Sequence, residues 1–191
     1  MSGKSESHFM SDEQLVKDCI QKKPSAQKKL YDKFSRKMMG LCMRYASDTQ
    51  EAQDIVQDGF VKVFNSMEGF NHEGSLEGWI KRIMINTALD AYRKNKKRQN
   101  DVELDSEYVM EVSQKDGIVE EMSASYLLSL VQSMPEGYKI VFNMFAVEGY
   151  SHKEIAEKLG ISVNTSKSQF SRARIYLQKM LSKKEVDWTN E

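Results

Sequence analysis

The chain has 191 residues and 22.0 kDa, enough for one ordinary domain or two small ones. Lys+Arg and Asp+Glu number 28 each, so the formal net charge is zero; uniform charge steering is excluded, and any polyanion site must come from uneven placement. Hydrophobic residues at 40%, charged residues at 29%, two Pro and ten Gly suit a soluble, helix-rich protein and exclude collagen, a wholly disordered chain and a turn-rich β-sandwich.

The N-terminus, MSGKSESHFM, has no secretory apolar core, and no apolar run approaches the ~20 residues of a membrane helix. A cytoplasmic protein without membrane insertion is expected. Asp12 and Glu13 then open a periodic run through Leu15, Val16, Cys19 and Ile20. Pro24 and Ser25 restart a helix carrying Ala26, Leu30, Phe34, Met38, Leu41, Cys42 and Tyr45 at spacings of mostly three or four. Cys19 and Cys42 are too few and too far apart for a disulfide framework or a zinc site, and read as packing thiols.

Asp48 with Glu51 resembles a capping box. The helix behind it turns Ala52, Val56, Phe60, Val63, Phe64 and Met67 inward and shows Gln53, Asp54, Gln57, Asp58 and Lys62 on the other face. By periodicity that face is a solvated exterior; it also suits docking of a basic or polar partner helix. Residues 68–75, EGFNHEGS, are a Gly-containing loop with Phe70, Asn71 and His72. On its own it reads as a plain loop; beside a basic helix it has the groups to hold a flipped base.

The following helix carries a largely apolar stripe of Ile80, Ile83, Met84, Thr87, Ala88 and Ala91. A second stripe, Trp79, Arg82, Asn86, Asp90 and Arg93, has groups suited to base edges and phosphates. Trp79 reads first as a core anchor, and Asp90 as an ion-pair partner for Arg93 or Lys94. The stripe runs into RKNKKR, residues 93–98, able to neutralise several phosphates and also favourable against the helix dipole.

Charge is segregated beyond this point. Residues 81–98 hold seven bases and one acid, residues 101–121 eight acids and one base, and residues 162–184 six bases and no acid. The acidic stretch keeps neither helical nor strand period and reads as a flexible linker over residues 98–120, a solvated spacer or an acidic decoy for a basic face.

In the C-terminal part, Ser133-Met-Pro-Glu136 reads as a capping box opening a helix with Tyr138, Val141, Phe142, Phe145 and Ala146 inward, ended by Glu148-Gly149. Ser151-His-Lys-Glu154 is a second box, followed by a short helix with Ile155, Ala156 and Leu159 inward and Gly160 as its stop. Ser162 caps a third helix, from Val163 to about Leu181, with Val163, Ser166, Phe170, Ala173, Leu177 and Leu181 inward. A short helix, a Gly turn and a basic second helix make a helix-turn-helix. Its reading face is Asn164, Thr165, Lys167, Ser168, Ser171, Arg172 and, at the edge of the inward stripe, Arg174. The alternative is an amphipathic surface helix with basic groups at its end.

The expected fold is therefore all-α. Two small helical domains, residues 10–97 and 121–184, are joined by the acidic linker, and the second contains the helix-turn-helix. His8, His72 and His152 lie far apart in sequence, and neither a phosphate loop nor metal-ligand spacing occurs. No catalytic set, cofactor or metal is expected, and no enzymatic activity.

Three stretches, EAQDIVQDGFVKVF (51–64), GSLEGWIKRIMINTALDAYRK (74–94) and EGYSHKEIAEKLGISVNTSKSQFSRARIYL (148–177), resemble bacterial RNA polymerase sigma factors of the extracytoplasmic-function group of the sigma-70 family. With the flanking helices the resemblance spans about residues 10–182. It implies that the first domain docks on the β′ clamp of core RNA polymerase and opens the minus-ten promoter element, and that the second reads the minus-thirty-five element at the β flap. By position, Asp54, Gln57, Asp58 and Phe64 fall on the polymerase-binding helix. The loop Gly69–Ser75, with Phe70 and Asn71, falls where the family captures an extruded minus-ten base, and Asn86, Asp90 and Arg93 lie on the helix beside it. Lys167, Ser168, Ser171 and Arg172 fall at minus-thirty-five contact positions. Ser166 and Gln169 depart from the pattern, standing where many members have a β-branched apolar residue and Arg. An anti-sigma factor is an expected partner, beside polymerase and promoter DNA. Two other readings remain: a DNA-binding regulator whose N-terminal helices sense a ligand or dimerise, and a helical adaptor that binds only protein.

Overall fold

A computed structural model describes residues 12–100 and 124–187 of the chain. The elements are α1 (Asp12–Ile20), α2 (Pro24–Cys42), α3 (Thr49–Asn65), a 3-10 turn (Met67–Gly69), α4 (Leu76–Asn100), α5 (Ala124–Gln132), α6 (Glu136–Phe142), a π turn (Asn143–Val147), α7 (His152–Leu159) and α8 (Val163–Asp187). No strand occurs among the described residues, and no helix among them is long and apolar enough to cross a membrane. Of the expected linker, residues up to Asn100 continue α4; the rest lies outside the described residues.

Contacts group the chain into two compact units. Among the described residues, one holds residues 12–42 and Gln53–Ala88; the other holds Met43–Ala52 and those from Leu89 onward. In the first unit, the expected periodicity is what is buried. Leu15, Val16, Cys19, Ala26, Leu30, Phe34, Met38, Leu41 and Cys42 of α1–α2 are in the core, as are Val56, Phe60, Val63, Met67, Ile80, Met84 and Ala88. Ile20, expected inward, is 36% exposed at the end of α1. Both cysteines are buried and neither is in a disulfide, and burial pushes the Cys19 thiol up. Gly59 lets α3 and α4 approach: a Cβ there would lie 2.3 Å from the Met84 sulfur. Asp48 accepts the Glu51 N–H at 2.8 Å, while the Glu51 carboxylate accepts the Ser47 N–H at 2.7 Å. The box is present, with its return bond one residue earlier than its sequence form implies.

In the second unit, Leu130, Met134, Ile140, Val141, Met144, Ile155, Ala156 and Ala173 are buried. Two expectations are corrected here. Ser133 does not cap α6. Its N–H bonds the Ser129 carbonyl at 2.9 Å and its hydroxyl donates to Leu130 at 2.9 Å, so it closes α5. Pro135 is the N-cap, and Tyr138 and Lys139 donate to its carbonyl at 2.9 and 3.0 Å. The reason is that a residue before proline is held extended, so a helix cannot run through Met134 into Pro135.

The second correction lies in the π turn, where Glu148 N–H reaches the Asn143 carbonyl five residues back at 2.9 Å. The wider turn breaks the expected period. Asn143 and Met144 are fully buried, Phe142 and Phe145 are half-buried, and Ala146 is exposed. Lys139, 2% exposed, donates from Nζ to the Ala46 carbonyl at 3.0 Å, and burial holds its pKa below the usual lysine range.

Candidate nucleic-acid interface

The helix-turn-helix is assembled from α7, Gly160 and α8. Ser151 caps α7, its hydroxyl oxygen accepting the Glu154 N–H at 3.3 Å while the Glu154 carboxylate accepts the Ser151 N–H at 2.8 Å. The Ser151 hydroxyl, donating to the Glu154 carboxylate at 2.7 Å, and then the Ser151 N–H hold that carboxyl below its ordinary range. Gly160 stands at φ 64°, ψ 36°, a left-handed stop that a side chain would strain. The Ile161 N–H then returns to the Ala156 carbonyl at 3.0 Å. Ser162 starts α8: its Oγ accepts the Thr165 N–H at 2.9 Å, and the two hydroxyls lie 2.8 Å apart.

The inward face of α8 is Ser166 and Ala173, both fully buried, with Phe170, Leu177 and Leu181 half-buried. Val163, expected inward, is 38% exposed, because it sits in the first turn ahead of the contacts with α7. Every residue of the expected reading face, Asn164, Thr165, Lys167, Ser168, Ser171, Arg172 and Arg174, is exposed. Lys167, Arg172 and Arg174 form no ion pair among the described residues. Ser168 donates its hydroxyl proton back to the Thr165 carbonyl at 3.0 Å. Gln169, the second departure from the family pattern, is half-buried, its side-chain amide next to Gly137.

The loop before α4 is a built structure. Glu73 N–H donates to Asn71 Oδ1 at 3.2 Å, His72 and Gly74 take φ 61° and 97°, and Ser75 Oγ accepts the Gly78 N–H at 3.0 Å. Asn71, His72, Glu73, Gly74 and Ser75 are exposed. Phe70 differs from the rest of the loop. It is only 7% exposed, with ring centroids 4.8 Å from His72 and 5.5 Å from Trp79. Its buried ring, tilted against His72 and Trp79, anchors the loop to α4. Trp79 is half-buried against it, in keeping with a core anchor.

On α4, Arg82, Asn86, Asp90 and Arg93 are exposed. Arg93 Nη1 pairs with Asp90 at 2.7 Å, and its other terminal nitrogen donates to the Lys158 carbonyl. The ion pair expected from the spacing of Asp90 and Arg93 is thus present.

On α3, Asp54, Gln57 and Asp58 are exposed, while Phe64 is half-buried with its ring 6.0 Å from Phe60. Beside Gln57 a groove opens between α2 and α3, lined by Tyr31, Arg36, Met39, Gln53 and Val56 among others. The α2 side of this groove was not singled out from the sequence. Its only signal is Tyr31, an aromatic off the apolar stripe, 39% exposed and 4.7 Å from the Phe60 ring. Among the described residues no three His, Cys, Asp or Glu side chains are grouped as a metal would need.

Residues 30–98 match the family "Sigma-70 region 2", and residues 124–177 match "Sigma-70, region 4". The RNA polymerase sigma-H factor of Pseudomonas aeruginosa is 28% identical over 181 residues, covering 89% of this chain and 93% of that protein. The ECF RNA polymerase sigma-E factor of Haemophilus influenzae is 30% identical over 175 residues, covering 86% and 92%. Among solved structures, the sigma factor RpoE of Bartonella quintana, in complex with the anti-sigma factor NepR, shares the fold with a TM-score of 0.50 at 21% identity. That match covers 81% of this chain and 96% of that one.

Proposed function

The chain belongs to the extracytoplasmic-function group of the sigma-70 family, and from that premise we propose which face carries each part of the work. It binds core RNA polymerase and directs transcription initiation at promoters. The work is divided between the domain of residues 10–97 and that of residues 121–184, with residues 98–120 between them.

The N-terminal half of α8 reads the minus-thirty-five element through Asn164, Thr165, Lys167, Ser168, Ser171, Arg172 and Arg174. The carrying observation is that all of these are exposed and that the three bases have no ion-pair partner among the described residues. An unpaired guanidinium can take guanine O6 and N7 together, and a lysine can take guanine or phosphate.

The loop Asn71–Ser75 and the α4 stripe of Asn86, Asp90 and Arg93 engage the minus-ten element, with Phe70 supporting the loop rather than touching the base. An extruded base held there offsets an unstacking cost of a few kcal/mol. Asp54, Gln57 and Asp58, with Phe64 behind them and the α2–α3 groove beside them, dock on a basic helix of the β′ clamp. The helix-turn-helix domain meets the β flap. Two DNA elements engaged by one polymerase gain through effective concentration.

The protein works by binding and has no catalytic site of its own. It acts in the cytoplasm, where the polymerase is. An anti-sigma factor is a further partner; a protein of the same fold was solved with one.

The test is transcription by core polymerase from a promoter library. The chain should select promoters, and Asp54→Lys with Asp58→Lys should abolish core binding while the helical content stays normal. A folded double variant with unchanged core affinity would sink the docking assignment. Failure of the wild-type chain to direct any initiation would favour a regulator that binds DNA alone.

A further inference from the structure

We infer that His152 and Ser166 are a positioning pair that locks the rotation of α8 on α7, and so sets the direction from which Lys167, Ser168 and Arg172 approach DNA. The inference rests on the reading of α8 as the minus-thirty-five element's reader.

Ser166 is a polar residue at a fully buried position of α8. A buried hydroxyl without a partner is costly. Here its Oγ lies 2.9 Å from His152 Nδ1, at the first residue of α7. The imidazole is itself held. It stacks on Phe145 of the π turn at 4.3 Å and 13°, and meets Phe170 of α8 at 5.9 Å and 61°. Phe145 and Phe170 close the triangle at 4.5 Å. One side chain therefore touches the π turn, starts α7 and bonds α8.

Farther along α8 the Tyr176 hydroxyl donates to the Ser133 carbonyl at 2.8 Å; close to Ser166 the contacts of Phe170 with Phe142 and Phe145 are apolar, and apolar burial is non-directional. It holds α8 near α7 and permits rotation about the α8 axis. A hydrogen bond has an angle as well as a distance, and this one fixes the rotation. Lys167 and Ser168 directly follow Ser166 and both are exposed, so any turn of α8 at Ser166 displaces them first. Burial, and then the Lys167 charge, favour the neutral ring. In the arrangement inferred, the neutral ring accepts the Ser166 proton at Nδ1 and holds its own at Nε2, which the 2.9 Å separation allows.

The full-length chain tests this with Ser166→Ala, His152→Phe and the double variant. Each single variant should lower initiation at promoters that depend on a minus-thirty-five element about three- to tenfold. The double variant should be no worse than the poorer single. Templates with a pre-opened minus-ten bubble and no upstream element should be unaffected. The 15N shifts of the His152 ring should move away from the Nε2–H pattern in Ser166→Ala. Losses that multiply in the double variant, equal losses on both template types, or unmoved ring shifts would each overturn the pair. If Ser166→Ala loses the fold, Ser166→Cys, which keeps the size and weakens the hydrogen bond, takes its place. Absence of promoter-directed initiation by the wild type would count against the reading of α8; unmoved ring shifts would still count against the pair.

Discussion

Helices α4 and α8 have the same length, 25 residues each, and both present polar stripes, yet they keep their charges differently. On α4 Arg93 is already answered: it is bonded to Asp90 of the same helix and to the Lys158 carbonyl of α7. On α8 Lys167, Arg172 and Arg174 stand without ion-pair partners among the described residues. A cation already paired must exchange one partner for another when it meets phosphate, so it positions more than it attracts. An unpaired cation releases counterions and gains affinity directly. Under the proposed division of the work, Arg93 on α4 would hold a strand already in place, and Lys167 and Arg172 on α8 would capture duplex DNA.

The largest expected effect breaks the α8 side of the comparison. Lys167→Ala with Arg172→Ala removes no core volume. If Arg172 takes a base and Lys167 a phosphate, the pair should lower occupancy of upstream-dependent promoters by about 2–4 kcal/mol. The loss should be absent on pre-opened templates lacking that element. Filter binding or open-complex assays across salt would read it, together with a drop of about one in the salt slope.

Next in size is a stability effect on the α4 side. Gly59→Ala places a methyl against Met84, whose side chain is fully buried. Overpacking of this kind costs about 1–3 kcal/mol. Urea unfolding should show a lower midpoint, and Gly59→Val a still lower one. Equal midpoints would mean that Met84 moves aside without cost.

A smaller effect sharpens the contrast. Asp90→Asn leaves Arg93 without its carboxylate. An exposed pair contributes only ~0–1 kcal/mol to stability, so the fold should hold. Non-specific DNA affinity should rise a few-fold at low salt, with a steeper salt dependence. Unchanged affinity would show that the Lys158 carbonyl alone keeps Arg93 from DNA.

The smallest concerns pH. Burial and Lys167 hold the His152 pKa below its ordinary value of 6.5. The unfolded chain therefore binds the proton more readily, and the stability this residue contributes is complete above about pH 6.5 and is lost as pH falls below it. Thermal unfolding at pH 7.5 and 5.5 should show a smaller acid loss in His152→Phe than in the wild type.

What the sequence made legible was local. The Ser151–Glu154 box, the Gly160 stop and the Ser162 cap each depend on residues within a few positions, and all three are present. The inward stripe of α3 was equally readable, because period alone decides it. Ser133–Glu136 had the spacing of a box and failed, since the restriction Pro135 places on Met134 outweighs a cap worth ~1 kcal/mol. The π turn was not readable, because no short-range sequence pattern encodes it, and its Phe145 ring packs on His152 and Phe170 from other helices. Of the candidate site, exposure on α3 and α8 followed the periodicity. The burial of Phe70 and the partner of Ser166 did not, because each is settled by a side chain from another element or turn.

The π turn also bears on how this chain can change length. It holds one residue more than an α-helical path between the same ends requires. A one-residue deletion at the exposed Ala146–Val147 end would tighten it into an ordinary α-turn and spare the buried Asn143 and Met144. The same deletion inside α8 would swing everything after it by about 100°, carrying Arg172 off the exposed face and Ala173 out of the core. Insertions and deletions among descendants of this sequence should therefore collect at the π turn and be absent from the N-terminal half of α8.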